Sequence, residues 1–147
     1  SGGVYTAVGT YDFNEMQSLL VKLSEKTGLS IGQLLQAYAH YFSGHMISNY
    51  GQFFEKANDF FDFLGSIHNY IHVEVKKLYP DAELPHFETH QVSSQRLEMI
   101  YTSRRRMGHF ALGLIEKSAE YFGEDIDIQM TNLDEDGEKV QFILTKK

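Results

Sequence analysis

Near the N-terminus, apolar residues recur three and four positions apart. Phe13, Met16, Leu19, Leu20 and Leu23 fall at that spacing, which predicts an amphipathic helix. Asp12 or Asn14 can cap its start, and Gly28 stands where a left-handed residue closes a helix. Ser30 with Gln33 forms a capping-box pair and opens a second helix carrying Ile31, Leu34, Leu35, Tyr38 and Phe42. Tyr50 to Phe54 reads as a turn and a short helical piece. Phe60, Leu64, Ile67, Ile71, Val75 and Leu78 then define one long helix, ended near Tyr79 by Pro80.

Beyond Pro85 the period changes to two. Leu97, Met99, Tyr101 and Ser103 alternate with Glu98, Ile100, Thr102 and Arg104, the pattern of a strand. His86 to Val92 is its expected hairpin partner. Met107, Phe110, Ala111, Leu114, Ile115 and Phe122 return to helical spacing, with Gly123 at the end. Two more strands, Ile126 to Thr131 and Val140 to Leu144, flank a turn at Asp134 to Gly137. The expected fold is α+β: a helical N-terminal part, then a four-stranded antiparallel sheet with a helix between its two hairpins.

A chain of 147 residues suits a single domain. Its net charge of −7 argues against a nucleic-acid surface, and no apolar run reaches membrane-spanning length. The absence of cysteine removes disulfides, thiolate zinc sites and iron–sulfur clusters, and fits a cytoplasmic setting. With 11 Phe and 9 Tyr, the chain holds either a large aromatic core or a flat hydrophobic ligand between aromatic walls.

Two clusters carry chemistry. His68 and His72 stand four apart on the long helix and share a face. Either can be a hydrogen-bonded core histidine, or a single imidazole can reach an axial position of a heme; Ile71, Val73 and Val75 make the surroundings of His72 the more apolar. On a strand, Tyr101, Ser103 and Arg105 would point to one face. Two hydroxyls and a guanidinium there suit a carboxylate, the alternative being a solvated face with a salt bridge. No nucleophile elbow, phosphate loop or paired acid–base motif is present, and Ser103 has no triad setting.

These features in order, Ile-His-Val-Glu-Val around His72, Leu-Tyr-Pro at Leu78 to Pro80, Leu84-Pro85 and Tyr101-x-Ser103-x-Arg105, resemble the heme nitric-oxide/oxygen-binding (H-NOX) family of bacterial gas sensors and soluble guanylate cyclase. The resemblance implies a heme b cofactor with His72 as proximal iron ligand and metal site. It implies Tyr101, Ser103 and Arg105 as the propionate-binding set, and Pro85 as the residue pressing on the heme. Relatives that hold O2 present a distal tyrosine that aligns with Phe110 here. Phe offers no donor to bound O2, a contact worth roughly 1–3 kcal/mol at a buried site, so NO and CO are the expected ligands. Phe42 is expected to add another apolar wall, plain core being its alternative.

The family's first part, about two helices over the distal face, has no counterpart before Ser1, so residues 1–147 are expected to be one sensor domain truncated at its N-terminus. Cysteine-based zinc, found in some relatives, is not expected. The resemblance implies an NO sensor without catalysis, signalling by weakening of the iron–His72 bond. Its reader would be a separate histidine kinase, cyclic-di-GMP enzyme or chemotaxis receptor. A heme enzyme using His45 or His109 and a heme-free interaction domain are the competing readings.

Overall fold

In the computed structural model, residues 13–147 are described, Phe13 and Asn14 by backbone alone; Asp12, one of the two expected caps, lies outside the described residues. Helix α1 spans Phe13–Thr27. Asn14 lies within its first turn. Gly28 closes the helix at φ +77, its N–H donating to the Ser24 carbonyl at 3.0 Å. Met16 and Leu20 of the expected stripe are half-buried, but Leu19 and Leu23 stay exposed, because α1 packs chiefly on the helix that follows it.

That helix, α2, spans Ile31–Glu55. The expected capping box forms: the Ser30 hydroxyl accepts from the Gln33 N–H at 3.0 Å, and the Gln33 side chain accepts from the Ser30 N–H at 2.8 Å. The expected break before Tyr50 is instead a kink within one helix, with Tyr50 at φ −130 and ψ 32. One residue leaves helical geometry and its neighbours keep theirs, so the axis bends without ending. The kink sets the Tyr50 hydroxyl 3.4 Å from that of Tyr79.

The long helix is three segments in sequence: α3 at Phe60–Ser66, a π-helical turn at Ile67–Ile71, and α4 at His72–Leu78. In the π-helical turn the His72 N–H donates to the Ile67 carbonyl, five residues back. Asp59 caps the start, accepting from the Asp62 N–H at 2.8 Å.

Strands β1 (His86–Ser93) and β2 (Arg96–Thr102) form the first hairpin, and β3 (Ile126–Asn132) and β4 (Lys139–Lys146) the second. All pair antiparallel in the order β1-β2-β4-β3. Alternation puts Leu97, Met99 and Tyr101 opposite Leu144, Phe142 and Val140 on one buried face. Gly137 turns the second hairpin at φ +75, where the Asp134 carboxylate accepts its N–H at 2.8 Å.

Between the hairpins, α5 (Gly108–Tyr121) crosses α2. The crossing is tight because Gly113 lacks a side chain: a Cβ there would lie 2.6 Å from the Ala39 Cβ and 2.7 Å from the Gln36 carbonyl oxygen. At the rim of the contact, Glu116 accepts from the Gln36 amide at 2.7 Å and lies 2.9 Å from the His40 ring. A phenylalanine cluster closes the other end of the core, Phe54 stacking on Phe63 at 4.5 Å with Phe60 wholly buried beside Phe122. The result is α+β, with helices over one face of a four-stranded antiparallel sheet. Among the described residues no helix is long and apolar enough to cross a membrane.

Gly113→Ala should force α5 away from α2 and cost about 1–3 kcal/mol, read as a lower urea midpoint with little change in slope.

Candidate functional site

An apolar cavity lies between the α2–α5 pair, the His72 region and the buried face of the sheet. His72, Pro85, Tyr101, Ser103, Arg105, Phe110 and Phe42 all line it. On the helical side, Phe42 and Phe110 meet at 5.7 Å, and Tyr38 contacts both at 6.1 and 5.9 Å. On the other side the His72 ring lies 5.8 Å from Phe87, which in turn lies 5.7 Å from Tyr101. Aromatic walls from different elements thus bound one space, while other phenylalanines form the core.

His72 and His68 part company here. His72 faces the apolar cavity, whereas His68 lines a separate polar cleft with His86, their rings 4.1 Å apart. Each has a buried Nδ1 without a hydrogen-bond partner among the described residues. Burial pushes the His72 pKa down to about 4, aided by the neighbouring His68 and opposed by the Pro85 carbonyl. At neutral pH its ring is therefore uncharged and keeps a lone pair, the form that binds a metal. No cluster of three or more His, Cys, Asp or Glu side chains able to hold a metal ion occurs among the described residues.

The Tyr-x-Ser-x-Arg residues come together, but not by strand alternation. Strand β2 ends at Thr102, and the chain then turns. The Ser103 hydroxyl accepts from the Arg105 N–H at 3.1 Å, its carbonyl accepts from Arg106 at 3.3 Å, and Arg106 takes a left-handed φ of 55. The expected common strand face is thus replaced by a turn that bends Arg105 back over the cavity. The Tyr101 hydroxyl accepts from the Met107 N–H at 2.9 Å. Burial raises its pKa, against the opposing pull of Ser103, Met107 and Arg105, so the phenol keeps a proton to donate. Arg105 Nε donates to Glu83 Oε2 at 3.0 Å, while Glu83 Oε1 receives Arg104 at 2.5 Å.

Sequence reasoning missed Glu83, which carries no periodic signal and lies far upstream of its partners. It also passed over Tyr38, Met46 and Phe53 as cavity wall. Conversely, the histidines considered for an enzyme do not meet there. His45 and His109 are exposed and outside the cavity lining, and His109 packs against Gly32 instead.

The donor set fits a heme: a neutral imidazole inside an apolar, aromatic-walled space, with an arginine and two hydroxyls for its carboxylates. Comparison with known proteins agrees. The Haem-NO-binding family model matches residues 1–130. This chain belongs to that family.

Among solved structures, the H-NOX protein from K. algicida in the Fe(II) unliganded state is 45% identical. That match has a TM-score of 0.92 and covers 99% of this chain and 78% of that one. The H-NOX from Shewanella woodyi, solved in the Fe(II)CO state with IWP-051 bound, is 37% identical, with a TM-score of 0.80 over 100% of this chain and 78% of the other. An S. oneidensis H-NOX in the Fe(II)NO state is 25% identical, with a TM-score of 0.88 over 98% and 81%. No curated protein matched. As an H-NOX domain the chain is a heme gas-sensing module, and its α+β architecture is the one these structures share.

Tyr101→Phe should remove the acceptor of the Met107 N–H and lower stability by about 1 kcal/mol. Thermal melts of the heme-free variant and its parent check this, with Phe87→Leu as a control that leaves the bond in place.

Proposed function

We propose that this H-NOX domain holds a ferrous heme b through His72, senses NO, and passes the signal to a separate protein without catalysis of its own. The observation that carries the reading is the neutral His72 imidazole set in an apolar cavity that Arg105 also lines. When bound, heme would supply an iron centre able to take a gas ligand. The chain's residues do the rest. His72 ligates, and Tyr101, Ser103 and Arg105 hold the propionates. Pro85 would press on the macrocycle, and Phe42 and Phe110 would offer a bound gas no donor of their own, with the Tyr38 ring beside them.

His72 would hold the heme iron, and gas binding that released His72 would free α4 and the π-helical turn before it to shift. A histidine kinase, a cyclic-di-GMP enzyme or a chemotaxis receptor is the class of partner we propose to read that shift. CO should bind as NO does, and the chain is proposed to work in the cytoplasm.

His72→Gly should lose heme, and free imidazole should restore it, followed by the Soret band after reconstitution. His68→Ala should leave heme in place, because its ring lies in the other cleft; the reverse result for the two variants puts the ligand on the wrong turn.

Ligand choice gives a second test. The ferrous chain should bind NO and CO yet show no stable O2-bound spectrum in air, and Phe110→Tyr should make O2 binding detectable by adding a donor worth roughly 1–3 kcal/mol. Stable O2 binding by the unmodified chain would overturn the assignment. Tyr38, the phenol beside Phe42 and Phe110, would then be the first side chain to truncate, in preference to His45.

A further inference from the structure

Glu83 lies among the lining residues of a largely apolar cavity, with its side chain half-exposed. It faces a site read here as one for a ligand with its own carboxylates, so Coulomb's law alone would have it repel that ligand. Its contacts suggest another part. Both carboxylate oxygens are taken, Oε2 by Arg105 Nε at 3.0 Å and Oε1 by Arg104 at 2.5 Å. The Arg105 side chain is only 15% exposed, against 84% for Arg104. These bonds, with Arg105 first and Arg104 second, hold the Glu83 carboxyl below the usual carboxylate range, so it stays ionised through neutral pH.

An arginine presents two edges to a carboxylate: one made of Nε and one Nη, and an end made of both Nη groups. Glu83 occupies Nε. The Nη groups of Arg105 make no hydrogen bond to the described residues. The same carboxylate belongs to the residue immediately before Leu84 and Pro85, which line the cavity too. One ion-pair cluster therefore joins the loop after α4 to the turn after β2, elements that the main chain leaves independent.

We propose that Glu83 is a positioning residue for the cofactor site. It engages Arg105 through Nε, leaving the Nη end to take a propionate, and it ties the Leu84-Pro85 segment to the same turn. This rests on reading the cavity as a heme site. Glu83 itself touches no cofactor carboxylate; it acts through Arg105 and through the loop it begins. Held this way, the guanidinium loses less rotamer freedom when the ligand arrives. That gain outweighs the repulsion between like charges, since Glu83 is already neutralised by two arginines.

The two views predict opposite signs. Heme loss to an excess of an apo-globin acceptor is followed for the reconstituted parent chain, Glu83→Ala, Glu83→Gln, Arg105→Ala and the Glu83→Ala/Arg105→Ala double variant. Glu83→Ala should speed heme loss about 3–10-fold, the scale of one partly exposed, hydrogen-bonded ion pair. Glu83→Gln keeps an acceptor for Nε and should recover part of that loss. The double variant should lose heme no faster than Arg105→Ala alone, because Glu83 has nothing left to position.

A second measurement needs no cofactor. Amide hydrogen exchange in the heme-free chain should rise in residues 80–85 and 103–107 for Glu83→Ala, and less for Glu83→Gln. Heme loss that is unchanged or slower in Glu83→Ala, or effects that add in the double variant, overturn the inference alone. A parent chain that takes up no heme overturns the site reading and this inference with it.

Discussion

Much of this molecule follows from how closely α5 lies on α2. Gly113 meets Ala39 and the Gln36 carbonyl where no side chain could fit, and this contact sets the separation of the two helices. Phe110 sits one turn before Gly113, and Phe42 one turn after Ala39. The crossing therefore brings those rings to 5.7 Å and makes them one wall. Farther along α5, Ile115 and Ala119 reach the buried cluster on the sheet. Loosening the crossing would thus disturb the cavity and the core together. A glycine here is a packing requirement, since it lies in regular helix and needs no unusual φ.

The cavity is also an electrostatic arrangement. His72 is buried enough to stay neutral, while Arg105, Arg104 and Glu83 gather at the loop and turn between α4 and α5. An apolar interior with charge confined to one place suits an amphiphilic ligand, apolar over most of its area and anionic at one edge. The aromatic richness of the chain is divided accordingly. Phe60 and Phe61 lie in the core alone, Tyr38, Phe42 and Phe110 bound the ligand space, and Phe54 and Phe63 belong to both.

Elements that repeat a period over several turns were legible in the sequence. The capping box at Ser30 and Gln33, the α5 stripe, both hairpins and the left-handed glycines at 28, 123 and 137 each write a local signal and stand in the structure. Features that depend on one residue or on distant partners were not. A single π turn inside a helical stripe leaves the three-and-four spacing almost unchanged, so Phe60 to Leu78 reads as one helix. The Tyr50 kink changes one pair of dihedrals. The alternation through Ser103 continues past Thr102 because the turn residues there happen to keep the pattern. As for the site, His72, Pro85, the Tyr101-Ser103-Arg105 set, Phe42 and Phe110 all line one cavity while His45, His68 and His109 do not, and Glu83 was invisible: its role arises only where the chain brings it beside Arg104 and Arg105.

The π-helical turn before His72 is a matter of phase. Chain that reaches back five residues for a bond, instead of four, spends one residue more on that turn than an α-helix would. Upstream, Phe60 and Phe61 must face the core; downstream, His72 and Val75 must face the cavity. In an unbroken α-helix each residue advances about 100° around the axis, so the two sets of directions are locked together. The wide turn uncouples them, letting the core hold one end of this stretch while the other end is aimed separately. Chain length between Leu64 and His72 is accordingly as much a part of the site as any side chain: one residue fewer would leave the same amino acids in the same order, facing elsewhere.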